Sequence, residues 1–220
     1  MSRAHAWSVL AASVVGFSVA SPPPGKVQLT IATLHAAALT TSRGAGDSLD
    51  APFFVMSVIG PHAGARAVLP DGKPLSIRRD EALGARPLTE LSLGDGDSVQ
   101  VLLSVLENAT ERGADRLRAA DGSKDAHRLS ASERAERVTQ LLAPFVDQGA
   151  HVLGSGSLLL TNEGGTIYWR SLECIASCKV VSAPPATPLA TKAAQPSAAT
   201  LELSGHGGTY HLALQARREP

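Results

Sequence analysis

Seven histidines and twenty acidic residues are the raw material for chemistry in this chain, so their spacing is the first test. No HExxH helix, no histidine pair at helical spacing and no GxSxG elbow occurs. Gly154-Ser155-Gly156-Ser157 has the small residues of an elbow without its spacing, and reads as part of a strand. His206 and His211 flank a glycine-rich turn that could bring them together across a terminal hairpin. With no carboxylate beside them, they read as solvated surface side chains rather than metal ligands. A hydrolase built from this chain would have to gather residues from separate loops, with His35, His62, His127 and His151 and the loop aspartates as its material.

The aspartates are grouped more suggestively. Asp47 and Asp50 fall in a Ser/Gly-rich stretch, Asp95 and Asp97 in a tight turn, and Asp115, Asp121 and Asp125 in a polar segment. In an antiparallel sandwich alternate connections gather at one end. The first and third groups are thus expected to converge, with Asp95 and Asp97 at the other end. Carboxylates converging from different loops can hold a hard cation through oxygen, so Asp47, Asp50, Asp115, Asp121 and Asp125 are candidate calcium ligands. The alternative is that aspartate is here simply a turn former. No other cofactor is expected.

Arg3 and His5 precede an apolar run, Trp7 to Ala20, that ends in the small residues Ser18 and Ala20 before Ser21-Pro22-Pro23-Pro24. This is the layout of a cleaved signal peptide over residues 1–20, and the run is shorter than the roughly 20 residues of a spanning helix. The expectation is a secreted or periplasmic protein with no transmembrane segment after cleavage. Export changes the reading of Cys174 and Cys178, the only two cysteines: in an oxidising compartment they form a local disulfide.

Lysine plus arginine and aspartate plus glutamate are 20 each, so the balance gives no electrostatic case for nucleic acid as a partner. The 44% apolar content is enough for a packed core. After a Pro-rich leader at residues 21–25, Val27, Leu29 and Ile31 alternate with polar residues, and Pro52 to Ile59 is nearly continuous in apolar character, as in a central strand. Leu91 to Asn108 is the organising stretch: a short strand, a Gly94-Asp95-Gly96-Asp97 turn and a long strand over Ser98–Glu107, with Val99, Val101, Leu103 and Val105 at period two. One amphipathic helix is expected around 130–147. Ser130 and Glu133 have capping-box spacing, and Val138, Leu141, Leu142 and Phe145 form a single stripe. Asn162-Glu163-Gly164-Gly165 is the clearest hairpin turn. Residues 182–199 carry four prolines and read as a long loop before a terminal hairpin.

The pattern predicts a mainly β protein: one antiparallel β-sandwich domain over 26–217 with an inserted helix. The order of an alternating strand, an aspartate-bearing loop, DAPFFVMSVIG, and then GDGDSVQVLLSVLEN followed by a hairpin with a Gly-rich turn resembles the calcium-dependent lipid-binding β-sandwich domains and their exported bacterial relatives. That resemblance implies a sandwich over 26–217 and calcium held by loop aspartates. With no catalytic set spelled out, the functional expectation is a secreted, non-catalytic binding or surface-associated module whose partner is a protein or surface ligand. A secreted hydrolase and a calcium-dependent membrane or ligand binder are the alternatives.

Overall fold

The computed structural model describes residues 24–40, 49–60, 64–68, 75–119, 128–183, 186–189 and 197–219; the proposed signal peptide, 1–20, lies outside them. In chain order the elements are β1 (Gly25–Ala38), β2 (Pro52–Ile59), β3 (Gly64–Val68), β4 (Ala82–Leu83), β5 (Arg86–Leu93), β6 (Ser98–Glu107), α1 (Glu111–Ala119) and α2 (Ala131–Val146). They continue as β7 (His151–Glu163), β8 (Thr166–Ala176), β9 (Cys178–Ser182), β10 (Thr187–Pro188), β11 (Ser197–Leu203) and β12 (Thr209–Arg218). Two antiparallel sheets result. The first runs β4-β1-β12-β11-β9 with β5 also on β1, and the second runs β10-β8-β7-β6-β2-β3. The mainly β sandwich expected from the sequence is what forms.

Period-two alternation decides the inner face. Val27, Leu29 and Ile31 of β1, Tyr210, Leu212 and Leu214 of β12, and Val99, Val101, Leu103 and Val105 of β6 meet in one core between the sheets. A second core lies on the outer face of the second sheet. There Phe53, Val55, Leu102 and Leu106 meet Val138, Leu141, Leu142 and Phe145 of α2 and Leu117 of α1. This explains the unbroken apolar run of β2: it is buried on both faces because helices cover it, although it lies next to the edge strand β3 rather than in the middle of the sheet.

Helix α2 follows the sequence expectation closely. The Glu133 amide donates to Ser130 Oγ and the Ser130 amide donates to Glu133 Oε2 at 2.7 Å, closing the capping box. The apolar stripe docks, and Arg134 pins the helix to the sheet by pairing with Glu173 of β8 at 2.5 Å. Helix α1 is a correction, because its segment reads as loop in the sequence. Among its described side chains the buried apolar ones are Ala114 and Leu117, too few to give a visible stripe. Gly113 lets it sit against the Phe145 ring, where an added Cβ would come within 2.5 Å of Cδ1. Packing, not local propensity, makes this helix.

The organising stretch also differs from a simple pair of neighbours. β5 pairs with β1 in the first sheet, whereas β6 pairs with β2 and β7 in the second. The Gly94–Asp97 turn is therefore an arch between sheets. Asp97 Oδ2 accepts from the Gly94 amide at 2.6 Å, and Asn162 clasps the arch through the Gly96 amide and the Asp97 carbonyl, each at 2.9 Å. Asp95 Oδ1 accepts from the Gly164 amide at 2.7 Å, so both aspartates act as turn caps. The β7–β8 hairpin has Gly164 and Gly165 at φ 58° and 77°, as its two-residue turn requires. The 182–199 tract is shorter as a loop than expected, since it contains β10 and the start of β11.

If the stripe of α2 supplies the second core, Phe145→Ala should cost about 3–5 kcal/mol in urea denaturation. Val146→Ala, next to it and 48% exposed, should stay within about 0.5 kcal/mol. Equal losses would contradict the docking.

Candidate functional site

One end of the sandwich gathers the polar side chains that the core would not tolerate unpaired. Thr40 follows β1, Asp50 precedes β2, Glu107 ends β6, and Tyr210 is the second residue of β12. All four are buried, Glu107 and Tyr210 at 0% exposure. Glu107 continues the period-two row of Val101, Leu103 and Val105, so the pleat itself turns its carboxylate into the space between the sheets. Tyr210 faces it from the first sheet in the row of Leu212 and Leu214.

Asp50 is the hub. Its Oδ2 accepts from the Thr40 amide at 2.8 Å and from the Tyr210 hydroxyl, and its Oδ1 lies 3.1 Å from Thr40 Oγ1. An isolated bridge to Ile77, with both amide bonds at 2.9 Å, fixes the Asp50 backbone. Thr40 Oγ1 also stands 2.5 Å from Glu107 Oε2. A hydroxyl has a single proton to give, so Thr40 couples the two acids: what it donates to one, it withholds from the other. Burial pushes the Tyr210 phenol well above its usual range, and the hydrogen bond to Asp50 and the charges of Asp50 and Glu107 push the same way.

Two histidine pairs lie beyond this hub. His151 stands opposite Glu107 on the β6–β7 ladder, and opposed residues project to the same face. His206, at φ 50° in the β11–β12 turn, stacks on His151 with centroids 4.3 Å apart and ring planes 12° apart. His151 Nδ1 is buried and makes no hydrogen bond among the described residues. His35 and His211 are register partners on β1 and β12 and stack at 6.0 Å. The expectation that His206 and His211 meet each other is thus corrected. His206 lies in the β11–β12 turn and His211 on β12, and each stacks on another histidine. His62 and His127 lie outside the described residues.

The calcium candidates fare unevenly. Asp47, Asp121 and Asp125 lie outside the described residues. Asp50 is buried, and its carboxylate accepts from the Thr40 amide and the Tyr210 hydroxyl. Asp115 is not in a loop but on α1, where it is exposed on the helical side of the second sheet. The structure does not bring these two together, and among the described residues no three His, Cys, Asp or Glu side chains are grouped so as to hold a metal. Cys174 and Cys178 do form the expected disulfide, across a Cα separation of 5.5 Å.

Sequence reading missed Thr40, Glu107 and Tyr210. For two of them a signal was present: a carboxylate and a phenol each occupied a core position in an alternating strand. Such groups are placed there only with partners. No family model, no curated protein and no solved structure matches the chain. What the fold and site define is a two-sheet β-sandwich with a buried acid–hydroxyl clamp at one end.

Tyr210→Phe should lower stability by about 1–3 kcal/mol, because Asp50 loses a donor while remaining buried. The raised phenol pKa adds a pH signature. Below the unfolded value of about 10 the stabilisation is fully present; above it the unfolded chain loses the proton first, and stability falls by about 1.4 kcal/mol per pH unit. Urea titrations at about pH 9 and about pH 11 should show this fall in the native protein and a shallower one in Tyr210→Phe. Parallel slopes would contradict the assignment.

Proposed function

We propose that the protein is an exported, non-catalytic β-sandwich module that binds a surface ligand or protein through the open face of its first sheet. The supporting observation is the asymmetry of the two sheets. Helices α1 and α2 cover the outer face of the second, whereas among the described residues no helix packs on the outer face of the first. That face carries the half-buried Gln28, Thr30, His35, Thr200, His211 and Gln215 on strands whose other side is locked into the core. A rigid sheet with polar, hydrogen-bonding side chains is suited to recognition. Export rests on the signal-peptide layout of residues 1–20. No helix of the described residues is long and apolar enough to cross a membrane.

The second reading, a hydrolase, has one observation in its favour: His151 stands opposite Glu107, with Asp50 and Tyr210 at the same end. Against it, the acids are buried and engaged with protein hydroxyls. Both acids hold the sheets together, and neither is presented to a substrate.

Mature protein should begin at Ser21 and co-sediment with envelope fragments of the source cell. Thr30→Arg/Gln215→Arg, two register partners on the open face, should abolish co-sedimentation and leave the melting temperature within a few degrees. Unchanged co-sedimentation of the folded variant would contradict this surface. Hydrolysis of a chromogenic ester or glycoside that is lost in His151→Ala would favour the enzyme instead.

A further inference from the structure

The bridge Cys174–Cys178 sits at a place the functional reading does not use. Consecutive strands β8 and β9 belong to different sheets, and only Ser177, in the left-handed region at φ 49°, separates them. The disulfide thus ties the two sheets covalently at the corner where the chain changes sheet. Among the described residues strand β9 is the outermost strand of the first sheet and pairs with β11 alone, from Cys178–Leu203 to Ser182–Thr200, and a register shift interrupts that ladder. Lys179, Val181 and Ser182 are exposed, Val181 to 53%; only Val180 and Cys178 pack against the core, and those partly. A strand with so little buried surface draws its order from its ladder and its tether. The neighbouring corner is independently held: the Ser177 carbonyl accepts from the Ser204 amide at 2.8 Å.

We propose that Cys174–Cys178 is a redox-removable latch on β9, and that a dithiol reductant releases this strand while the rest of the sandwich stays folded. Cys174 is exposed and Cys178 half-buried, so the attack falls on the Cys174 sulfur. The reductant's thiolate bonds to Cys174 Sγ, the S–S bond breaks, and Cys178 leaves as a thiolate that takes up a proton. The second thiol of the reductant then displaces Cys174 and becomes part of the reductant's own disulfide. The protein gains two electrons and two protons and the dithiol loses them. Release of β9 leaves the outer main-chain groups of β11 unpaired, an edge to which an extended peptide can add.

The test is amide exchange on the full chain, oxidised and after reduction with dithiothreitol, beside Cys174→Ser/Cys178→Ser without reductant. Opening a tether of this size should speed exchange of Lys179–Ser182 by roughly ten- to thirtyfold. Exchange of Tyr210–Leu214 in β12 should not change, and the same pattern should appear in the double variant. Unchanged protection of β9 in the reduced protein would overturn the latch. So would a parallel loss in β9 and β12, which would make the bridge a determinant of the whole fold.

Discussion

The buried hydrogen-bond hub at Asp50 is the interaction on which this sandwich most depends. Two sheets packed face to face have apolar side chains to join them along their length, but at their ends the chain must leave the core and bring main-chain and polar groups with it. At this end Asp50 and Glu107 come from the side of the second sheet and Thr40 and Tyr210 from the first, so each hydrogen bond in the cluster crosses the interface or orders a group that does. A buried acid without such partners would cost several kcal/mol; with them it becomes a directional tie that hydrophobic contact cannot supply. The opposite end uses weaker versions of the same solution. Asn162 and Asp95 hold the arch after β5 to the β7–β8 hairpin turn through main-chain groups.

Much of this architecture was legible because one face of each strand is buried. β2 and β6 could be bounded to the residue, and α2 announced itself by its capping box and its stripe. Sheet membership was not legible. Nothing in LSLGDGDSVQ distinguishes a hairpin from an arch, because the Gly-Asp turn serves both and the difference lies in the distant Asn162. The helix α1 was hidden for a related reason: its residues are polar, and what holds it is the Phe145 ring of another helix over Gly113. The site was half legible. Asp50 was singled out as a loop ligand, and the structure engages it with Thr40 and Tyr210; Glu107 and Tyr210 passed unnoticed inside strands whose parity already placed them in the core.

The two faces of the molecule have different physical tasks. In the second sheet β2, β6 and most of β7 are buried on both faces; the first sheet keeps a half-buried polar row on its outer side. On the proposed function, a sandwich divided in this way separates stability from recognition, so that the half-buried row can vary without disturbing the clamp. The histidines follow the division: His151 and His206 belong to the clamped end, His35 and His211 to the open face.

The most direct measurement is a double-mutant cycle between Asp50→Ala and Tyr210→Phe, read by urea denaturation near neutral pH. If the hub ties the sheets together, the two losses should be strongly non-additive, with a coupling of about 1–3 kcal/mol. Losses that add to within about 0.5 kcal/mol would mean that the two side chains do not act on each other, and the clamp would not exist.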